Sequence, residues 1–168
     1  MQRNAYFCYM QNEQIKRKLR IYIDTSVVGG YFENEFDTAT QALFQRLENK
    51  EVIFVISEVL EYELEKPTDK PHLKELLQRY DKDCFEYVKL TNEALNLANA
   101  YVLEGIVGEK HIDDCRHIAI ATISKVDVLA SWNFKHIVNF DKIRMYNSVN
   151  LKHGYNVIEI RNPVELLN

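Results

Sequence analysis

The segment Val52-Ile-Phe-Val-Ile-Ser57 does most to decide the fold class of this chain. It is a continuous run of five apolar residues followed by a serine. Such a run predicts a strand that is buried on both faces, as in a parallel sheet covered by helices. Ser57 is a favourable N-cap, and residues 58–65 predict a helix that ends before Pro67. The segment therefore predicts a strand followed directly by a helix.

The same alternation of strand and helix runs outward from this segment to both ends of the chain. Apolar, β-branched stretches predict strands at residues 18–23, 52–56, 85–90, 126–130 and 156–160. Apolar spacing predicts helices at residues 36–49, 58–65, 72–80, 91–105, 111–124 and 141–150, with a last helical turn from Pro163. Gly29-Gly30 predicts a break after the first strand. This alternation indicates an α/β fold with a mostly parallel five-stranded sheet covered on both faces.

Composition and charge set limits on the function. The chain has 168 residues, of which 46% are apolar and 27% charged, as in an ordinary folded domain. We expect residues 1–18 to be an N-terminal extension, with Met10 as a second candidate start, and residues 19–168 to be a single domain. The net charge of −4 argues against general binding of phosphate backbones, although a metal ion on acidic side chains can recruit phosphate.

The cysteines and the apolar runs predict the compartment. Cys8, Cys84 and Cys115 fit neither a disulfide framework nor a CxxC metal motif. No apolar run approaches the roughly 20 residues that a membrane span needs, and the polar N-terminus lacks the apolar stretch of a signal peptide. We therefore expect a cytoplasmic protein with reduced thiols.

Acidic residues follow the first two predicted strands, at the sheet edge where open α/β folds bind their ligands. Asp24 comes directly after the first strand, and Ser26 can hydrogen-bond its carboxylate. The alternative for Asp24 is a residue that only caps the next turn. Glu63 lies in the helix after the second strand beside Glu58 and Glu61, and each of these glutamates fits either a ligand or a solvated helix face.

Two later segments also carry polar side chains. Asp113 and Asp114 open the helix predicted at residues 111–124, and two carboxylates exceed what an N-terminal cap requires. The run Ser131-Trp-Asn-Phe-Lys-His136 follows the fourth strand and offers a hydroxyl, an amide, an ammonium and an imidazole. The alternatives are a simple acidic cap and an ordinary turn whose aromatic residues pack inward.

A zinc site built from His111, Asp113, Cys115 and His117 is not favoured by the spacing. Ligands on one helix face lie three or four residues apart, which suits His111 with Cys115 but not His111 with His117. The sequence also contains no HExxH, CxxC, Walker, GxGxxG or GxSxG motif, so zinc-protease, nucleotide-binding and hydrolase-elbow functions lose support.

Four segments resemble, in order, the motifs of the PIN domain family. Residues 21–26 are an apolar strand ending in Asp-Thr-Ser, and residues 56–64 are a strand-to-helix turn leading to Glu-Leu. Residues 114–121 are an Asp that opens an Ala-rich helix, and residues 128–136 follow the fourth strand. The resemblance covers most of the chain from about Leu19 onward, and it selects Glu63 over Glu58 and Glu61 as the glutamate of the metal site.

The resemblance implies a three-layer α/β/α fold and a Mg²⁺- or Mn²⁺-dependent ribonuclease, in many members the toxin of a VapC-like toxin–antitoxin pair. It implies that Asp24, Glu63 and Asp114 bind the metal and that Asn133, where the family usually has Asp, holds a metal-bound water or the scissile phosphate. Supporting or substrate-binding roles fall to Ser26, Asp113, Lys135 and His136. The partners implied are an RNA substrate, an antitoxin protein and a second copy of the chain.

Two other functions compete with this hypothesis. The neutral Asn133 and the acidic net charge are compatible with a catalytically weak or inactive PIN domain that binds RNA or protein. A haloacid-dehalogenase-like phosphatase needs a second Asp where this chain has Ser26, which counts against that class. If the nuclease hypothesis holds, mutual repulsion should raise the pKa values of Asp24, Glu63 and Asp114 in the metal-free protein.

Overall fold

A computed structural model of the chain describes residues 17–66 and 71–167. The strands in this part are β1 (Leu19–Ile23), β2 (Val52–Ser57), β3 (Phe85–Val88), β4 (Val128–Ala130) and β5 (Ile160–Arg161). The α-helices are α1 (Thr25–Gly30), α2 (Asp37–Glu48), α3 (Glu58–Glu65), α4 (His72–Gln78), α5 (Asn92–Leu103), α6 (Ile112–Ile123) and α7 (Phe140–Lys152). Short 3₁₀ helices cover Lys82–Cys84, Glu109–His111 and Pro163–Leu166. Most of the predicted N-terminal extension lies outside the described residues.

The five strands form one parallel sheet in the order β3-β2-β1-β4-β5. From β1 the chain moves outward to β2 and β3, and it then returns to the other side of β1 to form β4 and β5. The strand order therefore reverses between β1 and β4, where Ile23 pairs with Ala130. Such a reversal leaves a crevice at the carboxyl ends of the two strands. The predicted parallel sheet is confirmed.

The sheet separates two hydrophobic cores, because successive side chains of each strand point to opposite faces. Tyr22, Val55 and Leu129 belong to the core that lies under α5, α6 and α7. Ile21 and Ile23 belong to the core that lies under α1, α2, α3 and α4. The predicted three-layer α/β/α architecture is confirmed.

Several element boundaries differ from the predictions. Residues 25–30 form the short helix α1, although Gly29-Gly30 predicted a break, because the Asp24 side chain caps the helix by accepting from Val27 N–H at 3.2 Å. Gly30 is needed for packing, since a Cβ at this position would lie 2.7 Å from the Trp132 indole. The fifth strand is also shorter than predicted, and α7 is longer at 13 residues.

The predicted caps of α3 and α5 are confirmed. Ser57 accepts from Leu60 N–H at 3.3 Å, and Thr91 accepts from Ala94 N–H at 3.2 Å. Cys84 and Cys115 are free and buried, while Cys8 lies outside the described residues. In the part of the chain that the structure describes, no helix is long and apolar enough to cross a membrane.

Candidate functional site

A polar pocket of about 340 Å³ lies at the carboxyl edge of the sheet, next to the crevice between β1 and β4. It is lined by Asp24, Thr25, Ser26, Glu63, Lys66, Asp114, His117 and Asn133. The four residues predicted to be catalytic and the supporting residue Ser26 are therefore brought together. A larger pocket of about 490 Å³, between α3, α4 and β3, is mostly apolar and contains none of the predicted site residues.

Asp24 is fixed at the end of β1 by hydroxyl groups from two segments. Ser26 donates to Oδ1 at 2.5 Å and Ser131 donates to Oδ2 at 2.6 Å. Ser131 reaches this carboxylate because it follows Ala130, the register partner of Ile23. Burial raises the pKa of Asp24, which is 4% exposed, while the nearby His117 and these hydrogen bonds act in the opposite direction. Asp24 is thus both the cap of α1 and a rigid wall of the pocket.

The loop that follows β4 is anchored by Ser26 and Trp132. The Trp132 N–H donates to Ser26 Oγ at 2.8 Å, so this hydroxyl links the loop to Asp24. The buried Trp132 ring stacks on Phe36 at a centroid distance of 4.4 Å and donates from Nε1 to Thr40 at 2.9 Å. The inward packing considered for this turn holds for Trp132, whereas Phe134 is about half exposed.

Of the three glutamates on α3 that competed for one role, Glu63 alone lines the pocket. Glu58 accepts from the Leu90 N–H at 2.9 Å, and Glu61 accepts from the Tyr87 hydroxyl at 2.9 Å. Glu63 accepts from the Thr25 hydroxyl and also contacts His117. The choice of Glu63 by family resemblance therefore agrees with its position.

His117 connects the pocket to the buried core, and its role was not predicted. Its Nε2 lies 3.1 Å from Glu63 Oε2, and its Nδ1 lies 2.7 Å from the Tyr22 hydroxyl, which in turn lies 2.7 Å from Ser57 Oγ. Burial lowers the pKa of His117, but the hydrogen bond and charge of Glu63, with Asp24 and Asp114, outweigh burial and raise it. A protonated His117 can donate from Nε2 to Glu63 and from Nδ1 to the Tyr22 hydroxyl. The Tyr22 hydroxyl can then donate to Ser57 Oγ, which also accepts from Leu60 N–H.

The charge of His117 changes the electrostatics expected for Glu63. Burial raises the pKa of this carboxyl, but the hydrogen bond and charge of His117, together with Thr25 and Lys66, lower it overall. The expectation that repulsion raises the pKa of every carboxylate in the site is therefore wrong for Glu63. His117 Nε2 lies 3.1 Å from the half-buried Glu63 carboxylate and forms an ion pair with it when the imidazole is protonated.

Asp114 is held by Asn133. The Asn133 amide nitrogen donates to Asp114 Oδ1 at 3.0 Å, and its oxygen accepts from the His136 N–H at 3.0 Å. Burial is the main reason that the pKa of Asp114 rises to about 6, and repulsion by Asp24 and Glu63 adds to it, opposed by His117. An aspartate at position 133 would place a further carboxylate against Asp114, so the amide relieves repulsion at this point.

Three predicted supporting residues lie outside the pocket. Asp113 pairs with Arg116 at 2.7 Å and with Lys66 at 3.9 Å, although it is the immediate neighbour of Asp114. Lys135 is exposed and does not line the pocket. His136 is 8% exposed and packs against another imidazole on the far side of Asp114.

Sequence reasoning missed three residues that line the pocket: Thr25, Lys66 and His117. Ser131 was noted as the hydroxyl of the run after the fourth strand, but its hydrogen bond to Asp24 was not predicted. The signal for His117 was present, because it lies three residues after Asp114 and so shares its helix face. His117 was considered only as a zinc ligand. Thr25 and Ser131 each follow the last residue of a strand or its cap, and neighbouring parallel strands bring such residues together.

The donors of the pocket suit a hard divalent cation, since carboxylate and amide oxygens are the ligands that Mg²⁺ and Mn²⁺ prefer. Asp24, Glu63 and Asp114 line the same pocket, but they are not within direct ligation distance of one point. In residues 17–66 and 71–167, the group of three candidate ligands whose atoms all lie within 4.8 Å of one another is His111, Asp114 and His136. The wider spacing of the carboxylates fits a cation that keeps several of its water molecules.

Several solved structures contain chains that resemble this one in fold. VapBC from Salmonella typhimurium, bound to DNA, matches with a TM-score of 0.54 and 14% identity over 86% of this chain and 98% of that chain. VapBC2 from Rickettsia felis, bound to a promoter DNA fragment, matches with a TM-score of 0.51 and 14% identity over the same shares, 86% and 98%. A toxin–antitoxin complex from Klebsiella pneumoniae matches with a TM-score of 0.52 and 16% identity over 73% of this chain and 93% of that chain.

No family model matches the sequence, and no curated protein matches it. At identities this low, the structural likeness establishes the fold and not the activity. The chain has a PIN-like α/β/α fold, and the fold predicted from the four motifs is confirmed.

Proposed function

We propose that this chain is a metal-dependent endoribonuclease that hydrolyses RNA phosphodiester bonds and acts as the toxin of a toxin–antitoxin pair. The observation that carries the proposal is the meeting of Asp24, Glu63 and Asp114 in one pocket at the point where the strand order reverses. These residues lie far apart in the sequence, on three different elements. Three carboxylates around one small pocket are costly without a cation to neutralise them.

Asp24, Glu63 and Asp114 would hold Mg²⁺ or Mn²⁺, in part through water. When bound, such an ion polarises a phosphoryl oxygen and lowers the pKa of a coordinated water. Asn133 would keep Asp114 in place through the bond that it donates. Ser26 and Ser131 would do the same for Asp24. Supporting shells of this kind fix the orientation of metal-binding carboxylates.

Two basic side chains line the pocket, and each would have its own role. Lys66 lines the pocket, and its ammonium would face the negative charge of an entering phosphate. His117 would hold a proton at Nε2 toward Glu63, which keeps one carboxylate oriented and partly neutralised. With Lys66 and a protonated His117 present, the net charge of the pocket is less negative than that of three carboxylates alone. A polyanion can therefore approach it.

The proposed biological role follows from the relatives by fold. The Klebsiella pneumoniae structure is a toxin–antitoxin complex, and the Salmonella and Rickettsia structures are VapBC assemblies on DNA. We propose by analogy that this chain is a cytoplasmic toxin, forms a homodimer and is held in check by an antitoxin protein. The analogy concerns the fold, whereas the nuclease proposal depends on the pocket.

The test is a cleavage assay on RNA with Mn²⁺ or Mg²⁺, using single-residue variants at Asp24 and at two adjacent positions of α6. We expect Asp24→Asn and Asp114→Asn each to lose at least about 100-fold in rate, because each removes a charge that holds the metal. Asp113→Asn is the matched control, since this neighbour does not line the pocket, pairs closely with Arg116 at 2.7 Å and reaches Lys66 only at 3.9 Å. Millimolar Mn²⁺ should raise the melting temperature of the wild type and leave that of Asp24→Asn unchanged.

Full activity in Asp24→Asn would contradict the proposal. RNA binding by the wild type with no cleavage under any divalent metal would favour the alternative, a PIN-like binding module without catalysis.

A further inference from the structure

A group of basic side chains lies beside Asp114, which lines the acidic pocket. The imidazoles of His111 and His136 pack against each other with ring centroids 3.8 Å apart and planes 32° apart. His111 comes from the turn before α6, and His136 comes from the loop after β4. Two segments well separated in the sequence therefore meet at one place.

Three lysines surround this pair of imidazoles. Lys142 Nζ lies 3.2 Å from His136 Nδ1, while Lys110 and Lys135 are the chain neighbours of His111 and His136. After burial, these positive charges and His111 are what lower the pKa of His136 to about 4. Burial and the same three lysines also lower the pKa of His111.

These lysines lack acidic partners in the part of the chain that the structure describes. Lys110 and Lys135 are exposed and have no ion pair with a carboxylate there, and Lys142 contacts His136. Lys74 and Lys152, by contrast, are each paired with a glutamate. Three uncompensated ammonium groups near two imidazoles make a local positive field on a chain whose net charge is −4.

The basic group shares a border with the acidic pocket. His111 Nδ1 lies 3.7 Å from Asp114 Oδ2, while the Asn133 amide donates to the other oxygen of this carboxylate, Oδ1. The His136 N–H donates to Asn133 Oδ1 at 3.0 Å. A polyanion whose one phosphate enters the pocket would therefore bring a neighbouring phosphate to the lysines.

A metal ion is a weaker occupant for the same residues. His111, Asp114 and His136 have the composition of a site for zinc-like ions, and their ligand atoms lie within 4.8 Å of one another. However, an ammonium that donates to His136 Nδ1 leaves the proton of a neutral ring on Nε2, so neither nitrogen is free to bind a metal. Three nearby ammonium groups also repel a cation and attract an anion.

We propose that Lys110, Lys135 and Lys142, arranged around His111 and His136, form a subsite that binds a backbone phosphate of single-stranded RNA next to the acidic pocket. The proposal rests on the proposed function, in that the same RNA strand spans both places. It extends the phosphate contacts expected for Lys135 and His136 to a site with defined members. The lysines act as point charges on the phosphate, which gives affinity without sequence selectivity.

The test is binding of a fluorescent single-stranded RNA of mixed sequence, measured by anisotropy at several salt concentrations. The full chain is used with Asp24→Asn, so that the RNA stays intact. In that background we compare the triple variant K110Q/K135Q/K142Q with the control K18Q/K50Q/K125Q. The control removes the same charge from positions that precede β1, β2 and β4, at the opposite end of the sheet.

We expect the triple variant to bind RNA at least about tenfold more weakly and to reduce the slope of log K against log salt by about 2, since each lost phosphate contact on a single strand removes about 0.7. The control should change both values by much less. Lys135→Gln alone should weaken binding about threefold. Because this position is exposed, the single variant shows whether the loss in the triple variant comes from misfolding.

Equal losses in the triple variant and its control would show a general charge effect and would overturn the subsite. A visible absorption band on adding Co²⁺ that disappears in His136→Ala would assign the cluster to a metal and overturn it as well. Lysine-dependent RNA binding together with no cleavage by the wild type would instead refute the nuclease and leave the subsite standing.

Discussion

The two ends of the sheet differ in how their charged side chains are paired. At the amino end, Arg20 forms two hydrogen bonds with the carboxylate of Glu86, at 2.6 and 2.8 Å, and joins β1 to β3 across β2. Asp127 accepts from the Arg20 N–H and from the Arg17 guanidinium, both at 2.8 Å. Each of these four side chains has a partner of opposite sign, so these residues serve to connect strands.

At the carboxyl end, the carboxylates of Asp24, Glu63 and Asp114 face one pocket with His117 as their buried counter-charge. Negative charge is in excess there, and the pKa of Asp114 is raised to about 6. An arrangement selected for stability alone would pair these groups as the amino end does. The contrast supports the proposal that the carboxyl end receives a cation and its substrate.

The largest effect should come from α3, where neighbouring glutamates can be compared directly. We expect Glu63→Gln to lower the rate of RNA cleavage by at least about 100-fold, because it removes a carboxylate from the pocket. Glu61→Gln should stay within about twofold of wild type, since Glu61 accepts only from Tyr87 at the surface. Rates under single-turnover conditions measure the difference. Similar losses in the two variants would mean that α3 contributes general charge and not a specific ligand.

The amino end should affect stability and not activity. We expect Arg20→Ala to lower the free energy of unfolding by about 2 kcal/mol, because it leaves Glu86 and two carbonyl oxygens without their charged donor. Arg17→Ala should cost less than about 0.5 kcal/mol, since its guanidinium is 70% exposed. Urea denaturation gives both values. A loss of RNA cleavage in folded Arg20→Ala would break the division between the two ends.

The sequence was sufficient for the sheet and for the residues that follow its strands. The apolar run of β2 predicted a buried parallel strand, and Asp24 was a candidate because ligands bind at the carboxyl ends of parallel strands. Asn133 was selected by the resemblance of residues 128–136 to the fourth motif of the family. The lengths of α1 and β5 were not predicted. Asp24 caps a helix that the glycines disfavour, and β5 is limited by its pairing with β4 to two residues.

The rest of the site depends on contacts that no local pattern encodes. Tyr22 was predicted only as part of the first strand, yet its hydroxyl joins His117 of α6 to Ser57 of β2. His111 meets His136 only after the loop following β4 has folded back onto α6. Such pairs arise from the packing of distant segments, and a single sequence gives no signal for them.

The smallest predicted effect concerns pH, and it should have opposite signs at the two ends. The pKa of Asp114 is raised from 3.8 to about 6 in the folded chain, so between these values the folded state holds a proton that the unfolded state has released. Stability from this group therefore falls as pH rises through that window. In metal-free protein at pH 7, we expect Asp114→Asn to be more stable than wild type by about 1 kcal/mol, with the difference lost below about pH 4.

Glu86 should behave in the reverse way. The hydrogen bond with Arg20 lowers the pKa of its carboxyl below 4.5, against the effect of burial, so its contribution is present above that pH and is lost as pH falls through the folded-state value. Glu86→Gln should therefore be destabilising at pH 7 and harmless in strong acid, which is the opposite of Asp114→Asn. Urea denaturation in EDTA across pH 3 to 8 (roughly the range in which carboxyl groups of folded proteins titrate) compares the two variants. Asp114→Asn could instead destabilise the metal-free chain at pH 7, as Glu86→Gln is expected to do. The Asp114 carboxylate would then stabilise the fold as an ordinary ion pair does, and the difference proposed between the two ends of the sheet would be refuted.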